Sequence, residues 1–156
     1  MTQEDKELLL KDLCARLPYD VKVWVKTHHG QIIESDFLTL CNGGGYYSTL
    51  SYEGILNDSV VKPYLRPMDS MTEEEAKELS ILCDIKDILS IKITDKYVVF
   101  EVDDGVCSIE TKTIWYNEIV SSIEIFDWLN KNHFDYRNLI PMDLAIAVTK
   151  ENNPYK

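Results

Sequence analysis

The spacing of the apolar residues changes repeatedly along this chain of 156 residues, and that change limits the fold more than any single motif does. Residues 2–17 repeat their apolar side chains at helical spacing. From Val21 onward apolar residues alternate with polar ones, which is typical of a half-buried strand. Helical spacing returns after Thr72 and strand spacing after residue 87. This order of helix, strands, helix and strands predicts an α+β fold.

The first part of the chain is predicted to form an N-terminal helix followed by a small sheet. Residues 21–61 contain several short apolar stretches, separated by Gly30 and by the run Gly43–Gly45. Because glycine adopts positive φ at little steric cost, both places are predicted as turns. Short strands joined by such turns indicate a small antiparallel sheet or an SH3-like barrel.

A Pro-rich connector is predicted between the two parts of the chain. Residues 62–71 include Pro63 and Pro67, which argue against a helix or a central strand. We therefore expect a division into residues 1–62 and 63–156, or a single compact domain. The second part is predicted to contain a β-hairpin with helices.

Local signals fix several elements of the second part. Thr72 and Glu75 form a predicted capping box at a helix start, and Ser121 with Glu124 forms a second one. The sequence Asp103-Asp104-Gly105 predicts a hairpin turn. A last strand is predicted over residues 144–148, followed by a frayed tail over 151–156.

The charge of the chain is strongly acidic. Its 27 Asp and Glu against 16 Lys and Arg give a formal net charge of −11, which disfavours nucleic acid and anionic membrane surfaces as partners. The first five residues lack the basic and apolar regions of a signal peptide, so we expect a cytoplasmic protein. The four cysteines are widely spaced and expected to be reduced, with Cys14 and Cys83 in the core.

No motif in the sequence indicates a catalytic residue, a cofactor site or a metal site. The adjacent His28 and His29 would point to opposite faces of a strand, so they do not suit one ion. Strand residues follow the Gly43–Gly45 run, whereas a phosphate-binding loop leads into a helix. The function is therefore expected to be non-enzymatic, with a small hydrolase that uses acidic residues as the alternative.

Aromatic residues are the most informative candidates for function. Tyr and Trp are enriched at protein interfaces because they combine a large apolar area with a polar tip. Packing in the core is the more common fate of such side chains and is the competing explanation. With no catalytic motif present, their surplus predicts a protein-interaction or accessory module and a protein partner. The candidate interface residues are Trp24, Tyr46, Tyr47, Tyr64, Trp115 and Tyr116.

The acidic charge allows another alternative, an imitation of a nucleic acid that occupies a basic groove of a host protein. Such a mimic needs carboxylates along one face, and plain solubility is the competing explanation. The candidate carboxylates are Glu73, Glu74, Asp84, Asp87, Asp103 and Asp104.

Two stretches of the sequence carry a likeness to a known family: residues 2–19, TQEDKELLLKDLCARLPY, and residues 61–75, VKPYLRPMDSMTEEE. Residues 126–140, FDWLNKNHFDYRNLI, carry the same likeness. Together they resemble an uncharacterised family of small proteins from gut anaerobic bacteria and their phages or prophages. The resemblance implies a mobile-element origin and a cytoplasmic setting. The family has no assigned activity, so it implies no catalytic or binding residue.

Overall fold

The computed structural model describes residues 1–27, 29–37, 59–106, 108–116, 118 and 122–156. The chain forms two compact units, and the first contains residues 1–66 together with 137–156. Residues 67–136 form the second unit. Each unit has its own sheet and its own buried apolar cluster. The last twenty residues or so thus belong with the N-terminal part of the chain, whereas the sequence pattern grouped them with the residues that precede them.

Helix α1 spans Gln3–Arg16 and begins with a reciprocal cap. The Thr2 hydroxyl accepts from the Asp5 backbone N–H at 3.1 Å, and the Asp5 carboxylate accepts from the Thr2 N–H at 2.7 Å. Leu9 and Leu13 are fully buried, as their spacing predicts. Cys14 is exposed, so its predicted place in the core is wrong. The helix is rotated so that polar residues, described below, occupy part of the buried face.

The first sheet has four strands in the order β2-β1-β3-β7. Strand β1 pairs antiparallel with both of its neighbours, and Val23 and Val25 alternate into the core. Strand β7 pairs parallel to β3, so the sheet is mixed and the expectation of an antiparallel sheet is only partly correct. The strands are β1 Lys22–Thr27, β2 Ile32–Asp36, β3 Ser59–Leu65 and β7 Ile146–Ala147.

The predicted SH3-like barrel is not found in the part of the chain that the structure describes. There the strands form two open sheets, and no ladder joins the ends of either one. The short strands and the Gly43–Gly45 turn predicted within residues 38–58 lie outside the described residues. What the structure establishes is an α+β fold with an N-terminal helix and two small sheets.

Pro63 lies inside β3, a central strand, where the sequence pattern predicted a connector. The ladder explains why proline fits. The Thr27 N–H bonds to Gln31 O, so odd-numbered residues of β1 direct their backbone groups toward β2. Pro63 is paired with the odd-numbered Val23, at a rung that needs no N–H from β3.

The second unit contains a three-stranded antiparallel sheet in the order β4-β5-β6 and two helices. The capping box of α2 is confirmed: Thr72 Oγ1 accepts from the Glu75 N–H at 3.2 Å, and Glu75 Oε2 accepts from the Thr72 N–H at 2.8 Å. Helix α3 is capped by Ser122, one residue after the predicted Ser121. The elements are α2 Glu73–Leu82, β4 Ile88–Ile93, β5 Tyr97–Asp103, β6 Ile109–Trp115 and α3 Ile123–Lys131.

The predicted hairpin turn joins β5 to β6. Gly105 has φ +73°, a conformation that glycine adopts without steric cost. The Asp104 carboxylate accepts from the Val106 N–H at 2.8 Å and from the Ser108 N–H at 3.0 Å. A bond from the Ser108 hydroxyl, followed by these two backbone bonds, lowers the pKa of Asp104. Turn and carboxylate thus stabilise each other, and the acidic tip has a local structural role.

The C-terminal residues are held in place, so the predicted frayed tail is wrong. Asn152 donates from its side-chain amide to Ala147 O at 2.9 Å and accepts from the Thr149 N–H at 2.6 Å. The Val148 N–H donates to Leu65 O at 2.8 Å. Strand β7 is shorter than the predicted 144–148 because the chain turns after Ala147 to make these contacts.

Candidate functional site

The outer face of the first sheet has Trp24 at its centre. Side chains alternate along a strand, so Trp24 lies opposite the buried Val23 and Val25. The ladders place it between Glu34 on β2 and Lys62 on β3. We call this surface the Trp24 face, and its members are Lys22, Trp24, Lys26, Ile32, Glu34, Asp36, Val60, Lys62 and Tyr64.

One end of the Trp24 face is apolar and exposed. Ile32 and Val60 lie on either side of Lys26, and their side chains are 61% and 47% exposed. Among the residues described, no carboxylate forms an ion pair with Lys26. This end therefore offers apolar area beside a cation that a partner's carboxylate could contact.

The other end of the face is ionic. Lys22 Nζ forms an ion pair with the Asp36 carboxylate, its neighbour across the ladder. The Tyr64 hydroxyl donates to Glu34 Oε1 at 2.6 Å. Burial, followed by the bond to Glu34 and its charge, raises the pKa of Tyr64 to about 12. Tyr64 therefore keeps its proton at neutral pH and acts as a donor.

An open cleft of about 340 Å³ adjoins this ionic end. Lys22, Glu34, Asp36, Tyr64 and Pro154 contribute to its wall. Its carboxylates already accept from Lys22 and Tyr64, so the cleft presents an engaged network of charges. Such a network provides polar contacts at the rim of an interface more readily than it provides a free acid and base.

The Tyr155 hydroxyl bridges the ends of β1 and β3 beside the cleft. The paired register of β1 and β3 ends at Val23 and Pro63. Beyond it the Lys22 N–H donates to Tyr155 Oη at 3.3 Å, and Tyr155 Oη donates to Tyr64 O at 2.8 Å. The hydroxyl thus takes the place of a direct backbone bond. Burial raises the pKa of this phenol.

A buried ionic cluster lies on the inner side of α1. Arg16 donates to both Asp12 oxygens, at 2.7 and 3.1 Å, and the two side chains are fully buried. Arg137 Nε lies 3.2 Å from Asp12 Oδ1 and is 13% exposed. Sequence reasoning missed this cluster, although the i, i+4 spacing of Asp12 and Arg16 was visible. We assign it a structural role because it is enclosed by the fold.

The structure separates the aromatic residues that the sequence grouped as interface candidates. Trp24 and Tyr64 share the Trp24 face, but Tyr64 is only 6% exposed. Trp115 is 43% exposed and makes an edge contact with Tyr97, their ring centroids 4.8 Å apart. Tyr116 is 4% exposed and belongs to the apolar cluster of the second unit. Tyr46 and Tyr47 lie outside the described residues.

The carboxylates proposed for a nucleic-acid mimic have local partners. Asp103 Oδ1 accepts from the Gly105 N–H at 2.9 Å, and a separate backbone bond joins the Asp103 N–H to Asp87 O. Asp84 is bonded to Lys86 Nζ at 2.9 Å, and this bond lowers the pKa of Asp84. Glu73 and Glu74 occupy the first turn of α2, where negative charge favours the helix dipole.

In the part of the chain that the structure describes, no three His, Cys, Asp or Glu side chains converge to hold a metal ion. None of its helices combines the length and apolar character needed to cross a bilayer. His28, Cys41 and Cys107 lie outside it.

The comparisons with known proteins give no relative. No protein-family model, curated protein or solved structure matches the chain.

Proposed function

We propose that this protein is a binding module and that a protein partner docks on the Trp24 face. The observation that carries the proposal is the arrangement of that face. Trp24 lies at the centre, Ile32 and Val60 are exposed at one end, and charged side chains border the other. Protein interfaces combine an aromatic anchor with apolar area and bordering polar groups, and this face presents all three.

The charge of the face supports a protein partner that carries acidic groups of its own. The chain has a net charge of −11, but this surface presents Lys22, Lys26 and Lys62 against Glu34 and Asp36. Lys22 pairs with Asp36 and Lys62 pairs with Asp143, so among the described residues of this face Lys26 is the lysine without an ion pair and offers its charge to a partner. We therefore expect a partner with an apolar patch next to a carboxylate.

The test compares three forms of the protein on an affinity resin. Wild type, Trp24→Ala and Trp115→Ala are each exposed to lysate of the native host, and the retained proteins are quantified by mass spectrometry. A retained protein is then purified and its affinity measured by calorimetry. Loss of a central Trp at an interface costs about 2 kcal/mol or more, so Trp24→Ala should weaken binding about thirtyfold.

Trp115→Ala is the matched control, because it removes an exposed Trp from the other unit. Circular dichroism and urea unfolding confirm that each variant is folded. Lys26→Glu should also weaken the complex, by repelling the partner's carboxylate. A partner that binds wild type and Trp24→Ala equally well contradicts the proposal, and so does the failure of wild type to retain any specific protein.

The hydrolase alternative has less support from the geometry, because the cleft carboxylates already accept from Lys22 and Tyr64. The acidic mimic also has less support, because Glu73 and Glu74 lie in the first turn of α2, Asp84 pairs with Lys86 and Asp104 shapes a turn. An SH3-like closure of the first sheet, a cytoplasmic location and a prophage origin remain part of the proposal for a small accessory protein.

A further inference from the structure

Strand β6 is an edge strand with both of its faces open to solvent. It lies at the end of the order β4-β5-β6, and six of its seven residues are exposed. Across the described residues no strand pairs with its outer edge. Its register with β5 runs from Ile109 to Trp115 without a shift, whereas the other edge strand, β4, has an irregularity between Ile88 and Ser90. Of the two edges of this sheet, β6 therefore offers the longer regular one.

The ladder determines which backbone groups of β6 point outward. The Asp104 N–H donates to Ser108 O at 3.2 Å, and the Tyr116 N–H donates to Lys96 O at 3.1 Å. Even-numbered residues of β6 therefore bond to β5, because bonded and non-bonded pairs alternate. The N–H and C=O groups of the odd-numbered residues point away from β5. These residues are Ile109, Thr111, Thr113 and Trp115.

We propose that β6 pairs with β6 of a second copy of this chain, antiparallel and about a two-fold axis through Thr111. This register makes Thr111 pair with itself and Ile109 pair with Thr113. It also places Glu110 of each copy opposite Lys112 of the other. Within one chain these two side chains lie on the same face, with Lys112 Nζ 3.6 Å from Glu110 Oε2. The pairing creates an alternating group of charges and one continuous sheet.

Charge complementarity distinguishes this register from its neighbours. Moving the axis to Lys112 sets the two copies of Lys112 opposite each other, and moving it to Glu110 does the same for the two copies of Glu110. Directly opposed like charges destabilise a strand pair, and opposite charges stabilise it. Identical edges can meet this way because a two-fold interface is self-complementary. A lysine on an edge strand usually prevents pairing, but here each lysine meets a carboxylate.

The test measures mass against concentration by sedimentation equilibrium and by light scattering after gel filtration. Samples run from about 1 µM to about 1 mM in about 150 mM salt, which screens the repulsion between two acidic chains. Wild type should show a concentration-dependent dimer. Glu110→Lys and Lys112→Glu should each raise the dissociation constant about tenfold or more, because two pairs become repulsive.

Charge exchange provides the decisive control. The double variant Glu110→Lys/Lys112→Glu should dimerise like wild type, and a mixture of the two single variants should form a heterodimer. Thr111→Pro should abolish the dimer, because it removes an outward N–H that the β5–β6 ladder does not use. Thr111→Val keeps the backbone N–H at position 111 and should preserve the dimer. Wild type that stays monomeric at the highest concentration overturns the proposal, as does a dimer that survives Thr111→Pro or equal dimerisation of all charge variants.

Discussion

Replacement of Tyr155 by phenylalanine should destabilise the first unit, although it removes only one oxygen near the end of the chain. In the structure that oxygen accepts from the Lys22 N–H and donates to Tyr64 O. Tyr155→Phe leaves a strand donor and a strand acceptor without their partner. The two groups lie across the ladder from each other, and a direct bond between them would require β1 and β3 to move closer together.

The expected loss follows from the two bonds. An intramolecular hydrogen bond contributes about 0.5–1.5 kcal/mol net, and an unsatisfied buried group costs about 1–3 kcal/mol. Both contacts are partly buried, so water can replace some of what is lost. We therefore expect the free energy of unfolding to fall by about 1–2 kcal/mol.

The assay combines urea unfolding with amide hydrogen exchange. The Lys22 amide should exchange about tenfold faster or more in Tyr155→Phe, because its acceptor is gone. The Trp24 amide, at a rung where β1 pairs directly with Lys62, should not change. Tyr64→Phe is the control: it removes the bond to Glu34 and retains the backbone carbonyl that Tyr155 contacts. Unchanged protection of the Lys22 amide in Tyr155→Phe would refute the reasoning.

The same hydroxyl predicts a dependence on alkaline pH. Burial raises the pKa of Tyr155 above that of an unfolded tyrosine, about 10. At a pH between the pKa of Tyr155 in the unfolded chain and its higher pKa in the folded chain, the unfolded chain releases the phenol proton and the folded chain keeps it. Folding therefore becomes less favourable as pH rises. The contribution of Tyr155 should be constant below about pH 10 and should decline above it. The difference in stability between wild type and Tyr155→Phe should decrease accordingly.

Four other substitutions test buried hydroxyls, a helix cap and the buried ionic cluster by urea unfolding. The buried Tyr116 hydroxyl has no hydrogen-bond partner among the described residues, so Tyr116→Phe should be neutral or stabilising by up to about 1 kcal/mol. Tyr136→Phe loses a 3.0 Å bond to Asn130 and should cost about 1–2 kcal/mol, and the reverse order of the two effects would contradict this reasoning. Thr72→Ala removes the cap of α2 and should cost about 1 kcal/mol; no change would mean that the cap is not formed. Asp12→Ala leaves two arginines without their carboxylate and should cost about 3–5 kcal/mol; a loss under about 1 kcal/mol would show that the cluster is solvated.

The local elements could be predicted from sequence because their bonds join near neighbours. The cap of α2 joins Thr72 to Glu75, and the hairpin turn joins Asp104 to Ser108. The alternation in β1 likewise needs only one buried face and one open face. In each case the residues that determine the structure are a few positions apart, so the pattern contains both partners.

Part of the candidate site could be predicted in the same way. Trp24 was expected at an interface, and the alternation of β1 does place it on the outer face of the sheet. Its neighbours Glu34 and Lys62 depend on strand order, which no local signal encodes. The burial of Tyr116 beside the exposed Trp115 also depends on where β6 ends and what covers it.

The sequence by itself determined the α+β class, the starts of α1 and α2 and the hairpin, because each rests on periodicity or on a short-range bond. Tertiary structure decided what distant residues do for one another. Tyr155 joins Lys22 and Tyr64 across 133 and 91 positions of the chain, and Arg137 returns to Asp12 of α1. Such contacts form only when separate segments bury their apolar faces together, and that shared burial compensates the entropy of closing long loops.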